Sequence, residues 1–179
     1  DGTCYEGAWH NGKRHGSGNC NLPDGSHYEG QWQNDRRHGT GRMTDADGGS
    51  YVGAWVADYR HGRGTRRSAE GTLYEGIWKA GKLHGSGSMT CPDGSRYEGE
   101  WFEGWPHGRG LMVYADGGSY EGGWEIGRCH GMGVMTYPDG SRHEGEWRFG
   151  RRHGKGVMVD AHGVRKEGTW VKDRELLLQ

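Results

Sequence analysis

The sequence predicts an all-β protein built as an array of stacked β-hairpins, and three observations carry that prediction. One phrase returns every 23 residues: the aromatic positions are Tyr5, Tyr28, Tyr51, Tyr74, Tyr97, Tyr120 and then His143. Within each phrase Tyr5, Gly7 and Trp9 alternate with Glu6 and Ala8, the period of two that a strand requires. Acidic-Gly pairs, among them Asp24-Gly25, Asp93-Gly94 and Asp139-Gly140, close most units with a strong turn signal. A period of about 20 to 50 residues marks a repeat architecture.

Composition agrees with a thin aromatic core. Only 31% of the 179 residues are hydrophobic, a value that alone leans toward disorder. Nine Trp, nine Tyr and 38 Gly at fixed positions argue the other way. Seven full units begin at about 5, 28, 51, 74, 97, 120 and 143, and a half unit covers 166–179. The first strand of a unit carries Tyr5 to Trp9, and the second carries Gly16, Gly18, Cys20 and Leu22 in alternation. A linking segment from His10 to His15 is expected, with Trp9 opposite Gly16, Gly7 opposite Gly18 and Tyr5 opposite Cys20. Glycine opposite an aromatic leaves room for the ring to lie flat on the sheet. A lone hairpin is marginal in water, whereas stacked ones bury a shared surface.

The phrase Y-E-G-x-W-x-x-G-x-x-H-G-x-G, complete from Tyr5 to Gly18, resembles the MORN repeat (membrane occupation and recognition nexus). The resemblance spans residues 1–179, with small departures: Val52 for Glu, Glu70 for Asp, His143 and Lys166 for Tyr, and Asp35 where Gly12 and Gly81 stand in other units. It implies an elongated, twisted, single-layer antiparallel sheet, a rod of roughly 70 Å at about 4.8 Å per strand. MORN arrays accompany enzymes, tie membranes together or hold a partner's helix. A chain of repeats alone is similar to protist scaffolds of the basal complex and cytoskeletal collars, which dimerise through their C-terminal repeats. The chain opens at Asp1, inside the pattern, so it is expected to be part of a longer repeat protein.

Catalysis is not expected: nucleophile elbow, Walker loop, dinucleotide fingerprint and HExxH are all missing from the sequence. The Glu column (Glu6, Glu29, Glu75, Glu98, Glu121, Glu144, Glu167) reads as a solvated strand face. Consecutive members of the His column, His15 to His153, lie about 9.6 Å apart and cannot share one zinc ion, whose ligands sit at about 2.0 to 2.1 Å. They read as structural, fixing the loop by hydrogen bonds. Of the four cysteines, Cys20 and Cys91 sit in packing columns. Cys129 falls in the linking segment beside His130, where other units have Arg14, Arg37 or Arg152. An exposed thiol there either is incidental or joins His130 in an interchain zinc site with the same pair from a second copy. No cofactor is otherwise required.

Net charge is -1, so any attraction to anions must be local. Lys13, Arg14, Arg36, Arg37, Arg60, Lys82, Arg128, Arg151 and Arg152 line one long edge, and the acidic turns line the other. This basic edge either aids solubility or captures anionic phospholipid or an acidic partner. It is expected to lack an aromatic wedge for membrane insertion. Nucleic acid is not expected, because stacking residues do not interleave with the bases. Phe102 and Trp105 break the pattern in the fifth unit and could anchor a partner or cover the edge. After Trp170 the His-Gly pair is missing and the chain ends Leu176-Leu177-Leu178-Gln179. The last strand is expected to lack its mate, and Trp170 with the three leucines is expected to form a homodimer contact.

These features point to a non-enzymatic scaffold that homodimerises C-terminally and organises cytoskeletal or membrane-associated proteins. Alternatives are a phosphoinositide-binding module acting through the basic edge, the targeting region of a larger enzyme, and a partner's amphipathic helix laid across the Tyr/Trp face. The expected location is cytoplasmic, on the cytoskeleton or at the cytoplasmic face of a membrane.

Overall fold

Strands form wherever the period-two phrase runs, and the two-residue turns inside the hairpins are built from residues of positive φ. The computed structural model describes residues 2–176, which fall into two compact units dividing between Pro92 and Asp93. The first contains β1 (Cys4–His10), β2 (Lys13–Asn21), β3 (His27–Gln33), β4 (Arg36–Thr44), β5 (Ser50–Val56), β6 (Tyr59–Arg67), β7 (Leu73–Lys79) and β8 (Lys82–Thr90). The second contains β9 (Arg96–Phe102), β10 (Trp105–Val113), β11 (Ser119–Glu125), β12 (Arg128–Thr136), β13 (Arg142–Arg148), β14 (Arg151–Val159), β15 (Arg165–Val171) and the short β16 (Arg174–Glu175). In each unit the strands pair antiparallel with their neighbours in chain order. The all-β repeat fold read from the sequence is the fold observed.

The register is as expected at one end of the hairpin and different at the other. Tyr5 pairs with Cys20 and Gly7 with Gly18, but Trp9 pairs with Arg14 and His10 with Lys13. A bulge between Gly7 and Trp9 absorbs the extra residues. The link is therefore the two-residue turn Asn11-Gly12 (φ 49° and 72°), not a loop from His10 to His15. Gly16 does pair with a tryptophan, but with Trp32 of the next hairpin. Asp35 holds φ 67° in the glycine slot. Asp tolerates that conformation, and its carboxylate accepts the Arg14 backbone N–H at 2.9 Å.

One face of the sheet is aromatic. The Tyr5 ring lies over the Gly7–Gly18 pair, where a Cβ on Gly18 would come within 2.6 Å of the ring. Its hydroxyl donates to Ala8 O in the bulge at 2.8 Å. Tyr28, Tyr51, Tyr97 and Tyr120 repeat this bond at 2.9 to 3.0 Å. Trp32, Trp55, Trp78, Trp124 and Trp147 each reach back through Nε1 to a glycine carbonyl of the preceding hairpin, Trp32 to Gly18 O and Trp124 to Gly110 O at 3.1 Å. Tyr and Trp rings meet edge to face at 5.1 to 5.5 Å between centroids, favourable geometry for aromatic pairs. The tyrosines Tyr28, Tyr51, Tyr97 and Tyr120 are at most 2% exposed. This interlocked layer is the core that a chain poor in aliphatics can build.

Between hairpins the chain turns on Leu22 to Ser26 and its equivalents. Ser26 donates N–H and Oγ–H to Asp24 Oδ1 at 2.9 and 2.6 Å, which holds the carboxyl below its ordinary range. Asp93 and Asp139 do the same with Ser95 and Ser141.

Candidate functional site

Because the tyrosines fold onto one face, the other face over the glycine pairs is bare backbone. In the second unit the row Gly99, Gly110, Gly122, Gly133, Gly145, Gly156 and Gly168 runs strand to strand and floors an open groove of about 1370 Å³. One flank is the row Glu98, Leu111, Glu121, Val134, Glu144, Val157 and Glu167, directly paired across strands. The other flank holds Arg109, His130, Met132, Lys155 and Thr169. Leu111, Val134 and Met132 are 39%, 36% and 66% exposed, so apolar surface faces the groove between carboxylates. Arg142 Nε lies 2.7 Å from Glu144 and holds its carboxyl below the usual range. In the first unit the matching row is Glu6, Asn19, Glu29, Arg42, Val52, Thr65, Glu75 and Ser88, largely polar.

The predicted basic edge separates into two classes. Lys13, Arg36, Lys82, Arg128 and Arg151 are exposed beside the turns. Arg14, Arg37, Arg60 and Arg152 belong to the aromatic face, since their position in the second strand points them inward. Arg14 stacks 4.2 Å from the Trp32 ring centroid and donates Nη2–H to Asp35 O at 2.9 Å. Arg37 bonds Asp58 in the same way, Arg152 bonds Asp173, and Arg60 reaches Gly81 O. These four staple successive turns together and are not free for a lipid headgroup.

The zinc proposal does not survive the geometry. Cys129 lies in β12 opposite Trp124, 7% exposed, with its thiol hydrogen-bonded to Tyr114. Burial pushes that thiol up to about 12, which disfavours the thiolate a metal requires. His130 follows it and so points to the opposite face, with Nδ1 3.1 Å from Glu125 Oε2. No cluster of three metal-ligating side chains occurs among the described residues. The His column sits in the second strands rather than in loops, and the Nδ1 atom of His15 is buried without a hydrogen-bond partner.

Trp170 is interior, 3% exposed, its ring 4.6 Å from that of His143, and so is not a surface for dimer contact. The last strand keeps a mate after all: Lys172-Asp173 turns the chain, β16 pairs with Trp170 and Val171, and Leu176 N donates to Thr169 O at 2.7 Å. Leu176 is 51% exposed. Leu177 and Leu178 lie outside the described residues. Phe102 and Trp105 pair across the turn and are 53% and 57% exposed, as an anchor would be. On the Tyr/Trp face Trp32, Trp55, Trp78, Trp101, Trp124, Trp147 and Trp170 are at most 8% exposed and offer little surface to a helix, whereas Trp9 in the first hairpin is 59% exposed. The open face offers aliphatic side chains beside a bare backbone floor, and the sequence concealed its identity because glycine leaves no mark of which side lies bare.

A glycine-floored hairpin array with one locked face and one open face defines a repeat protein of the interaction type. Seven consecutive matches to the MORN repeat cover residues 5–27, 28–50, 51–73, 74–96, 97–119, 120–142 and 143–164, and the chain belongs to the MORN-repeat family. No curated protein sequence matches it. Among solved structures it is similar to the TCP domain of Drosophila melanogaster SAS-4 (dCPAP), solved in complex with a proline-rich motif of Ana2 (dSTIL). Identity is 15%, coverage 87% of this chain and 85% of that chain, and the TM-score 0.51. The TCP10c domain of Drosophila melanogaster Sas-4 (15% identity, 87% and 93% covered, TM-score 0.47) and the TCP10 domain of Danio rerio CPAP (12%, 86% and 78%, 0.36) follow. At these identities the likeness concerns the fold alone.

Proposed function

We propose that the chain is a non-enzymatic interaction scaffold that holds a segment of a partner protein in the open groove of its second unit. The observation that carries this reading is the bare glycine floor, flanked by exposed Leu111, Met132 and Val134 on the face opposite the locked aromatics. Such a surface offers backbone contact along the floor and apolar contact at the sides. Membership in the MORN-repeat family, and the proline-rich motif bound by a protein of similar fold, support a peptide as ligand. The partners are cytoskeletal or membrane-associated proteins, and the site of action is the cytoplasm or its membrane face. A second copy joins at the C-terminal edge, where, among the described residues, β16 pairs with Trp170 and Val171 of β15 and Leu176 adds one bond to Thr169. Light scattering tests that part: a monomeric mass at all concentrations overturns it.

The groove is tested by selecting peptides from a displayed library against the full chain. The expected binders lose at least about tenfold in affinity with Leu111→Glu or Val134→Glu and are unchanged by Arg36→Glu. Binders indifferent to both groove substitutions would overturn the reading.

A further inference from the structure

One arginine of the aromatic face lacks the partner that the others have. The residue 21 places after each member of this column is a turn residue of the next hairpin. Arg14 is followed by Asp35, Arg37 by Asp58 and Arg152 by Asp173, and each couple is an ion pair in the structure. Leu83, Pro106 and Cys129 carry no such cation and are followed by Gly104, Gly127 and Gly150. Cation and carboxylate thus occur together or not at all, except that Arg60 is followed by Gly81. Arg60 donates Nη2–H to Gly81 O at 2.9 Å and stacks 4.8 Å from the Trp78 ring centroid, but no carboxylate pairs with it among the described residues.

A second departure adds charge at the same place. Six places after this column the other hairpins carry sulfur: Arg14 Nη1 lies 3.6 Å from Cys20 Sγ, and Arg37 Nη1 lies 3.6 Å from Met43 Sδ. The third hairpin has Arg66 there, opposite Tyr51 as Met43 is opposite Tyr28. Arg66 has one carboxylate, Asp45, at a loose 3.8 Å. Burial first, and the Arg66 guanidinium next, hold Arg60 below its ordinary range. A cavity of about 250 Å³ opens among these groups, walled by Met43, Tyr51 and Trp55 and bordered by Tyr59, which is 60% exposed. Its charged lining is the three cations Arg37, Arg60 and Arg66 against the two carboxylates Asp45 and Asp58, which leaves one positive charge in excess.

We propose that this cavity is a carboxylate-binding site: Arg60 and Arg66 receive a carboxylate from outside the chain, in the place that Asp35, Asp58 and Asp173 fill for the other arginines. One positive charge in excess matches a monoanion, and a planar guanidinium suits the two oxygens of a carboxylate. The volume lies below the roughly 300 to 1,000 Å³ of sites for drug-sized ligands. It suits one acidic side chain of a partner protein, or a small carboxylic acid of the same chemistry. Arg60 is half-buried and already stapled to Gly81, so a headgroup held in a bilayer does not reach it, whereas a single side chain does. The site belongs to the first unit and does not depend on the groove of the second.

The test follows the Trp55 and Trp78 indole N–H resonances of the full chain by NMR while a probe is added: a capped Gly-Glu-Gly peptide, its Gly-Gln-Gly counterpart, propionate or inorganic phosphate. The glutamate peptide should shift both resonances saturably, and the glutamine peptide should not. Propionate binding without the peptide would keep the carboxylate site and assign it to a small acid. Two variants copy residues from the equivalent positions of other hairpins, so the fold should hold. Gly81→Asp, at φ 84° beside the 67° and 73° of Asp35 and Asp58, supplies the missing carboxylate from within. Arg66→Met restores the sulfur. Each should weaken binding about tenfold or more while the unfolding midpoint holds or rises. No saturable shift with either carboxylate, or Gly81→Asp binding as well as the wild-type chain, would overturn the proposal. Phosphate binding more tightly than both carboxylates would overturn the assignment of the ligand.

Discussion

His143 occupies a tyrosine slot, and returning it to tyrosine should stabilise the second unit. The imidazole is 0% exposed, and neither ring nitrogen has a hydrogen-bond partner. It sits edge to face between Trp147 and Trp170 at 5.5 and 4.6 Å, as the tyrosines do between theirs. Its pairing with Met158 matches that of Tyr120 with Met135. His143→Tyr would supply a hydroxyl able to reach Glu146 O, as Tyr120 reaches Gly123 O at 3.0 Å. Gaining one such bond is worth about 1 kcal/mol, and removing buried unsatisfied nitrogens about 1 kcal/mol more. An increase of about 2 kcal/mol at pH 7.5 is therefore expected, read from urea denaturation followed by circular dichroism.

The same substitution should change the pH profile. Burial and the nearby Arg152 guanidinium push His143 down to about 4 from 6.5, while Asp173 opposes. The unfolded chain thus binds more protons than the folded chain between about pH 4 and 6.5, so wild-type stability falls as pH drops through that window. Allowing for solvent screening in a thin sheet, the loss attributable to His143 is of order 1 to 2 kcal/mol by pH 4. The tyrosine variant should lack this part of the slope. A destabilised variant at pH 7.5, or an unchanged slope between pH 6.5 and 4, would refute the reasoning.

Other outcomes follow from the same geometry. Gly133→Ala should cost about 3 kcal/mol in denaturation, because its Cβ would meet Tyr120 Cε2 at 2.7 Å above a rigid backbone. Trp124→Phe should cost about 1 to 2 kcal/mol by leaving the Gly110 carbonyl without its 3.1 Å donor. Arg37→Ala, which removes the stack on Trp55 and the bonds to Asp58, should cost about 1 kcal/mol, an amount that shrinks in high salt. A thiol reagent should modify the exposed Cys4 at once and Cys129 only on unfolding; prompt labelling of Cys129 would contradict its burial.

The sequence disclosed what repetition enforces. Tyr5, Gly7 and Trp9 return at every 23rd position because each hairpin must fit the next, so the strands, the Tyr–Gly pairing and the unit boundaries were legible. The bulge after Gly7 was not legible, since a bulge adds residues without changing which residue types recur. That one irregularity moved Arg14 from a loop to the aromatic face, buried Cys129, and placed Ile126 and Phe149 at turn tips. The groove was hidden for a related reason: alternation assigns Glu98, Leu111 and Val134 to the face away from tyrosine but does not say that this face stays open.

The claim that matters most is that a partner segment binds along the open face while the rings of the aromatic face hold the array together. Hydroxyl-radical footprinting of the full chain, with and without a library-selected peptide, tests it directly at Met132, which is 66% exposed in the groove. The account predicts that bound peptide protects Met132 and Leu111 from oxidation and leaves Trp32 and Trp55 as unreactive as before. Unchanged oxidation of Met132 under saturating peptide would contradict it.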